Sequence, residues 1–290
     1  MRVAHIIMAH KNPAQLSRLT KSLRHPNFDI YIHIDAKVPI HQFEEILTNH
    51  AEVFFIKERS TCNWGGFSLF KGIIECLKQV LNTGIEYDYI NLISGQDYPV
   101  KTADEIFNFL KAKKGTIFIS FEDSSNSEWW RTATHRYERY HLTDFNFTGK
   151  YALQWLLNKI TPIRKFPDSM KLYGGNKSCW WTLTNESAVY IVNKLKNRPD
   201  LYNFLKFCWG TDEFIIPTLI MNSELKNKVI NDNLRYIDWS EGNAHPKILL
   251  SSDYNMIKDS NMLFARKFDS VIDDNILNMI DADNFGTNHQ

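Results

Sequence analysis

Two pairs of adjacent charged residues stand out in this 290-residue chain because of their surroundings. Asp212 and Glu213, in "WGTDEF", come where a helix is expected to begin. A helix N-terminus favours negative charge, but one carboxylate meets that need. A second acid among aromatics has the chemistry of a general base. Arg266 and Lys267, in "LFARKFD", lie between Phe264 and Phe268. Burying a cation costs several kcal/mol unless something answers it. The pair is therefore either a surface turn whose long side chains snorkel to water or one wall of an anion site. In a regular strand adjacent side chains leave opposite faces, so a shared role needs a turn near Arg266.

A second group of polar residues closes apolar runs. His10-Lys11 follows "VAHIIMA", Asp35 ends "DIYIHID", and Asp97 falls in "SGQDYPV". In open α/β sheets the carboxyl ends of strands are where ligands bind. Gly65-Gly66, in "CNWGGFS", permits a tight turn or close backbone approach. The helix beginning near Ser68 would offer its N–H groups to an anion. Two adjacent tryptophans in "CWWTLT" fall in an expected strand, so one faces the core and the other faces outward.

Apolar runs predict strands over residues 3–9, 29–35, 53–56, 87–94 and 116–121, with helical patterns between them. Asn12-Pro13 supplies an N-cap and a proline at the first helical position, and Thr102 to Glu105 forms a capping box. This alternation predicts an α/β fold with a mainly parallel sheet. Residues 125–147 are aromatic and charged with no clean period. Beyond them the pattern predicts a helix over 150–160, a strand over 179–184 and a helix over 186–196. A helix over 212–221 is expected to kink at Pro217. A strand over 235–239 and a closing helix over 271–280 complete the reading.

Lys plus Arg number 34 against 33 Asp plus Glu, which disfavours a non-specific nucleic-acid binder. The four cysteines, Cys62, Cys76, Cys179 and Cys208, show no C-x-x-C spacing and are expected to be free thiols in a reducing compartment. No stretch reaches the length of a membrane span. A cytoplasmic protein without a transmembrane segment is expected, or one peripheral at the inner face of the membrane.

In order and spacing, "IIMAHKNPAQLSRL", "IYIHIDAK", "NWGGFSL", "LISGQDYPV", "CWWTLT", "TDEFIIPTL" and "LFARKFD" resemble the core-2/I-branching β-1,6-N-acetylglucosaminyltransferases. This is the Branch family, glycosyltransferase family 14, with the peptide O-xylosyltransferases as relatives. The resemblance runs from about residue 3 to about 280, and the chain looks like a bacterial-type member without a membrane anchor. It implies a GT-A fold in one domain, with residues 1–121 as the nucleotide-binding half and 122–290 as the acceptor-binding, catalytic half. It further implies inverting transfer of a sugar, GlcNAc in the first reading, from a UDP-sugar to a hydroxyl of a glycan or glycolipid acceptor.

Carried over residue by residue, the resemblance makes Glu213 the catalytic base and sets Arg266 and Lys267 against the diphosphate, under a loop bearing His245. His10, Asp35 and Asp97 become nucleotide neighbours. Asp212, Trp181, Asp238 and Trp239 become sugar or acceptor contacts. No metal and no cofactor beyond the UDP-sugar co-substrate is implied, since the family resembles metal-dependent GT-A enzymes without their D-x-D motif. The single D-x-D here, Asp281-Ala282-Asp283, reads as a solvated helix terminus. Three alternatives stand beside this reading. One is a UDP-xylose-dependent enzyme of the same family, and another is a non-catalytic carbohydrate-binding protein on the same fold. The third, a glycoside hydrolase using Asp212 and Glu213, is weak, because helix neighbours do not face each other across a bond.

Overall fold

The computed structural model describes residues 1–47 and 52–286. Four early strands follow the apolar runs closely: β1 (Val3–Ala9), β2 (Phe28–Ile34), β3 (Val53–Phe55) and β4 (Tyr89–Ser94). Two short ones follow, β5 (Asp97–Pro99) and β6 (Ile117–Ile119), then β7 (Glu122–Asp123) and β8 (Tyr173–Gly174). The last four are β9 (Trp181–Thr184), β10 (Val229–Ile230), β11 (Arg235–Ile237) and β12 (Phe264–Arg266). β1 and β2 are buried along their full length, as expected of central parallel strands covered on both faces.

Seven strands form the central sheet in the order β10-β6-β9-β4-β1-β2-β3. All neighbours run parallel except those of β9, which is antiparallel to both β4 and β6. This strand comes from the second half of the sequence and lies inside the sheet that the first half begins. Apolar layers cover the two faces. Ala4, Ile6 and Met8 of β1 join one layer, under the helices Phe67–Leu81 and Asn185–Asn197. Val3, Ile7 and Ala9 join the other, under Pro13–Ser22, Ala103–Ala112 and Asn275–Phe285. The result is the mainly parallel sheet flanked by helices that the sequence predicts.

A second sheet, β11-β12-β5, is what brings the chain's last strand to the site. β12 runs parallel to β11 and antiparallel to β5, in a register that sets Arg266 opposite Asp97.

Local signals fare well. The Asn12 side chain accepts from the Gln15 N–H ahead of Pro13, and the Thr102–Glu105 capping box closes in both directions. Two helix boundaries are corrected. The closing helix begins at Asn275 rather than 271, because the Asp273 carboxylate accepts from Ile276 N and from Ser251. Asp281 and Asp283 lie in the last turns of this helix, with Asp283 exposed; Arg18 and Tyr98 bind the first, Lys258 and Tyr254 the second. The break in the 212–221 segment falls at Phe214, not Pro217. Proline has no N–H to offer the carbonyl four residues back, so the Glu213 carbonyl is free to accept from Gly175 N at 3.0 Å.

The helix Phe67–Leu81 does not present its N-terminus to a ligand. The Asp144 carboxylate already fills that place, accepting from Ser68 N at 2.7 Å, Ser68 Oγ at 2.5 Å and Asn63 Nδ2 at 2.9 Å. Glycine is needed at 66 because a Cβ there would stand 2.3 Å from Asp144 Oδ1. Asp144→Ala is expected to lower unfolding free energy by about 2 kcal/mol, the scale of charge-assisted hydrogen bonds at a helix start. A urea titration reads this as a lower midpoint at unchanged slope.

Candidate active site

At the carboxyl ends of β1, β2 and β4 lies a cavity of about 430 Å³, within the usual range for small-molecule sites. Among the residues that line it are His10, Asp35, Asp212, Glu213, Trp239, His245, Arg266 and Lys267. Eight of the eleven residues that the sequence nominates thus meet at one place. Asp97, Trp181 and Asp238 do not.

The basic wall is built by β12. Arg266 ends the strand, so Lys267 leaves the pleat, and both side chains reach the cavity. Arg266 is 8% exposed. Its Nε stands 3.5 Å from Asp97 Oδ1 and makes no hydrogen bond, and its guanidinium lies 4.3 Å from the Trp180 ring centre. Burial lowers the Lys267 pKa from its ordinary value, and the charges of Arg266 and Lys11 push the same way against Asp269 and Asp97. Lys11 is itself held by Asp269 at 2.5 Å. No ion pair holds the Lys267 ammonium among the described residues. Positive charge here is under-compensated.

Asp97 sits behind this wall. It is fully buried and accepts from Ser94 Oγ at 2.6 Å and Ser94 N at 3.2 Å. The turn after β4 folds its carboxylate inward, so it steadies Arg266 instead of meeting a ligand. Trp181, the first residue of β9, is 1% exposed in the core, and its neighbour Trp180 lines the cavity. Asp238 turns back to accept from Ser240 N at 2.7 Å, stabilising the bend after β11.

The acidic wall is a single 3-10 turn, Thr211–Glu213, entered through Gly210 at φ +61°. Asp212 is buried, and burial raises its pKa. Glu213 is raised from 4.5 to about 7, mainly by burial, with the Asp212 charge adding and Arg136 opposing. Arg136 is the residue that sequence reading missed. Its Nη1 donates to Glu213 Oε2. Its guanidinium lies between the Trp129 and Trp209 rings, 4.8 and 4.3 Å from their centres. Gly210 makes room for it, since a Cβ there would come 2.3 Å from Arg136 Nη1. Only the mixture of Arg and Trp in the aperiodic 125–147 segment hinted at such a role.

At the strand-end wall, Asp35 is as much a turn-former as a ligand group. Its oxygens accept from Lys37 N at 2.8 Å and Cys62 N at 3.2 Å. His10 has its pKa lowered, by burial first and then by Lys11, with Asp35 opposing. His33, also on this wall, accepts from Ser60 N at 2.9 Å, and burial drops its pKa to about 4. Burial pushes the Cys62 thiol up to about 12, which removes it as a nucleophile at neutral pH. All four cysteines are free. The arrangement faces an anion-accepting wall with a carboxylate able to take up a proton near neutrality.

Comparison with known proteins adds the following. The family model for the Core-2/I-Branching enzymes matches residues 3–258. Xylosyltransferase 2 of Rattus norvegicus is 24% identical over 308 residues, covering 99% of this chain and 34% of the relative. Xylosyltransferase oxt of Drosophila pseudoobscura pseudoobscura is 23% identical over 285 residues, covering 91% and 31%. The chain thus spans about a third of the length of these curated relatives. Mouse xyloside xylosyltransferase 1 in its apo form aligns at 12% identity and a TM-score of 0.42, covering 91% of this chain and 96% of that one. A likeness that loose carries no functional argument.

The raised Glu213 pKa has a thermodynamic consequence. The folded chain holds this proton to about pH 7, whereas an ordinary glutamate releases it near 4.5. The unfolded state therefore binds fewer protons between those limits, and stability falls as pH rises through that window. Asp212, also raised, contributes with the same sign. Urea midpoints across the window should show this fall in the wild type and a shallower one in Glu213→Gln.

Proposed function

The chain belongs to the Core-2/I-branching enzyme family, and from that premise we propose that it is an inverting glycosyltransferase using a UDP-sugar. The observation that carries this reading is the opposition of two walls in one cavity. Buried Arg266 and half-buried Lys267, both under-compensated, face the same space as Glu213, whose pKa is raised to about 7.

The reaction divides between the walls. An acceptor hydroxyl loses its proton to Glu213 as its oxygen attacks the anomeric carbon. The bond from that carbon to the diphosphate oxygen breaks on the opposite side, giving inversion. UDP leaves with the bonding electrons, and the cations stabilise the negative charge that develops on it. Arg136 binds Oε2 of Glu213, which leaves Oε1 to receive the proton. Trp180, Trp239 and exposed Trp64 supply apolar walls of the kind that pack against sugar rings. The charge work falls to side chains, so we propose that transfer needs no divalent metal.

For the donor sugar, the relatives named above as xylosyltransferases put UDP-xylose at least level with the UDP-GlcNAc of the first reading. A panel of uridine, guanosine and cytidine sugar nucleotides distinguishes the cases. A ligand that binds only the folded state stabilises it by about 2.7 kcal/mol at a hundredfold excess over Kd, so the matching donor should raise Tm and the others should not. Stabilisation by a guanosine or cytidine nucleotide alone would overturn the UDP assignment.

Two variants divide the machinery. Glu213→Gln should keep UDP binding and lose roughly 10²–10⁴ in turnover, the usual size of a general-base contribution, with Asp212→Asn milder. Lys267→Ala should lose on the order of 10²–10³ in turnover and weaken UDP binding as well. Wild-type enzyme treated with EDTA should keep its rate. Loss of activity in EDTA with recovery in manganese, beside a mild Lys267→Ala, would assign the charge work to a metal.

A further inference from the structure

The helix Lys150–Ile160 is built inside out. An amphipathic surface helix turns its apolar stripe to the core and its polar side to water. Here no residue of the helix is buried, and the inward side chains are amides. Gln154 Oε1 accepts from Leu142 N at 2.8 Å. Asn158 accepts from Tyr140 N at 2.7 Å and donates to Tyr140 O at 2.8 Å. The apolar side chains point to solvent: Tyr151 is 66% exposed, Trp155 62%, Leu156 45% and Ile160 68%. Exposed Phe145 and Phe147 before the helix, and Ile163 after it, extend the patch. A folded chain does not leave such a face to water without a use for it.

The charges around the face select the occupant. Between Asp144 and Asp168 the sequence has four cations, Lys150, Lys159, Arg164 and Lys165, and no acid. Arg164 is spent internally, donating to the Phe204 and Phe207 carbonyls. Lys159 lies over the Trp155 ring at 4.8 Å, and Lys165 is exposed. Aromatic and aliphatic side chains fringed by lysines suit the boundary between acyl chains and anionic headgroups. The lysine stems can lie along the apolar layer with their ammonium groups at the phosphates. A second copy of the same face would set these lysines against one another.

We propose that the segment 145–165 docks this protein on an anionic lipid surface, with the helix lying in the plane of the interface. The segment starts one residue after Asp144, whose carboxylate binds Asn63 and Ser68 beside the cavity residues Cys62 and Trp64. The docked face is thus tied to the cavity rim. The inference stands on this face alone and does not depend on the transfer reaction.

Co-sedimentation of the full chain with vesicles tests it, comparing phosphatidylcholine alone with phosphatidylcholine containing phosphatidylglycerol. The expected result is binding to the anionic vesicles only. Leu156→Ser with Ile160→Ser should lower that binding at least about tenfold while thermal unfolding stays unchanged, since both side chains face solvent. Lys159→Gln and Lys165→Gln should each lower it by about fivefold. Equal association with both vesicle types, or a loss with the lysine changes but none with the serine changes, would overturn the proposal. So would a concentration-dependent dimer, seen by light scattering, that the serine changes dissolve, because it would make the face a protein interface.

Discussion

Asp97 and Arg266 face each other at 3.5 Å across the ladder between β5 and β12, and much of the site follows from that contact. A guanidinium 8% exposed needs an opposite charge nearby, or the strand carrying it is driven toward solvent. One carboxylate, itself held by Ser94, supplies it. The neutralisation is incomplete, because Lys267 follows at once and brings a second positive charge with no ion pair of its own among the described residues. The chain therefore folds into a state that already attracts an anion. Part of the cost of desolvating these cations is met during folding, which leaves them preorganised when a ligand arrives.

The opposite wall uses the same physics with the sign reversed. Asp212 and Glu213 share one turn, and both are pushed toward their protonated forms by burial. Arg136 opposes the shift without cancelling it, so Glu213 titrates near neutrality rather than near 4.5. Each wall supports its charges with residues that touch no ligand: Asp97 behind Arg266, and Arg136 between two tryptophan rings behind Glu213. The turn itself depends on Pro217, which has no N–H for the Glu213 carbonyl, and on Gly174, where a Cβ would meet that oxygen at 2.8 Å.

What could be read from the sequence was whatever is encoded locally. β1 and β2 are largely apolar runs because both faces are covered, and the caps at Asn12 and Thr102 involve partners three residues away. The strand-end residues His10 and Asp35 could be placed because the ends of such runs are legible. Asp97 looks the same in sequence but does not line the cavity, since the guanidinium beside it lies far along the chain. Trp180 and Trp181 could not be told apart without the register of β9, which depends on pairing with Ile119. Arg136 lies in a four-residue helix with no buried residue, too short to leave a periodic signal.

The position of β9 bears on how the chain is made. Tyr89 of β4 pairs with Thr184, and Ile119 of β6 with Trp181, so although β4 can pair with β1 early, the edges that β9 covers stay open until residue 184 has emerged. Until then β4 and β6 each have an unpaired edge, and such edges recruit strands from other chains. Contacts this distant in sequence also slow folding, because the loop must close before the pairing repays it. The first half alone therefore carries strand edges that only the second half of the sequence covers. Once Trp181–Thr184 is in place, the two edges close together.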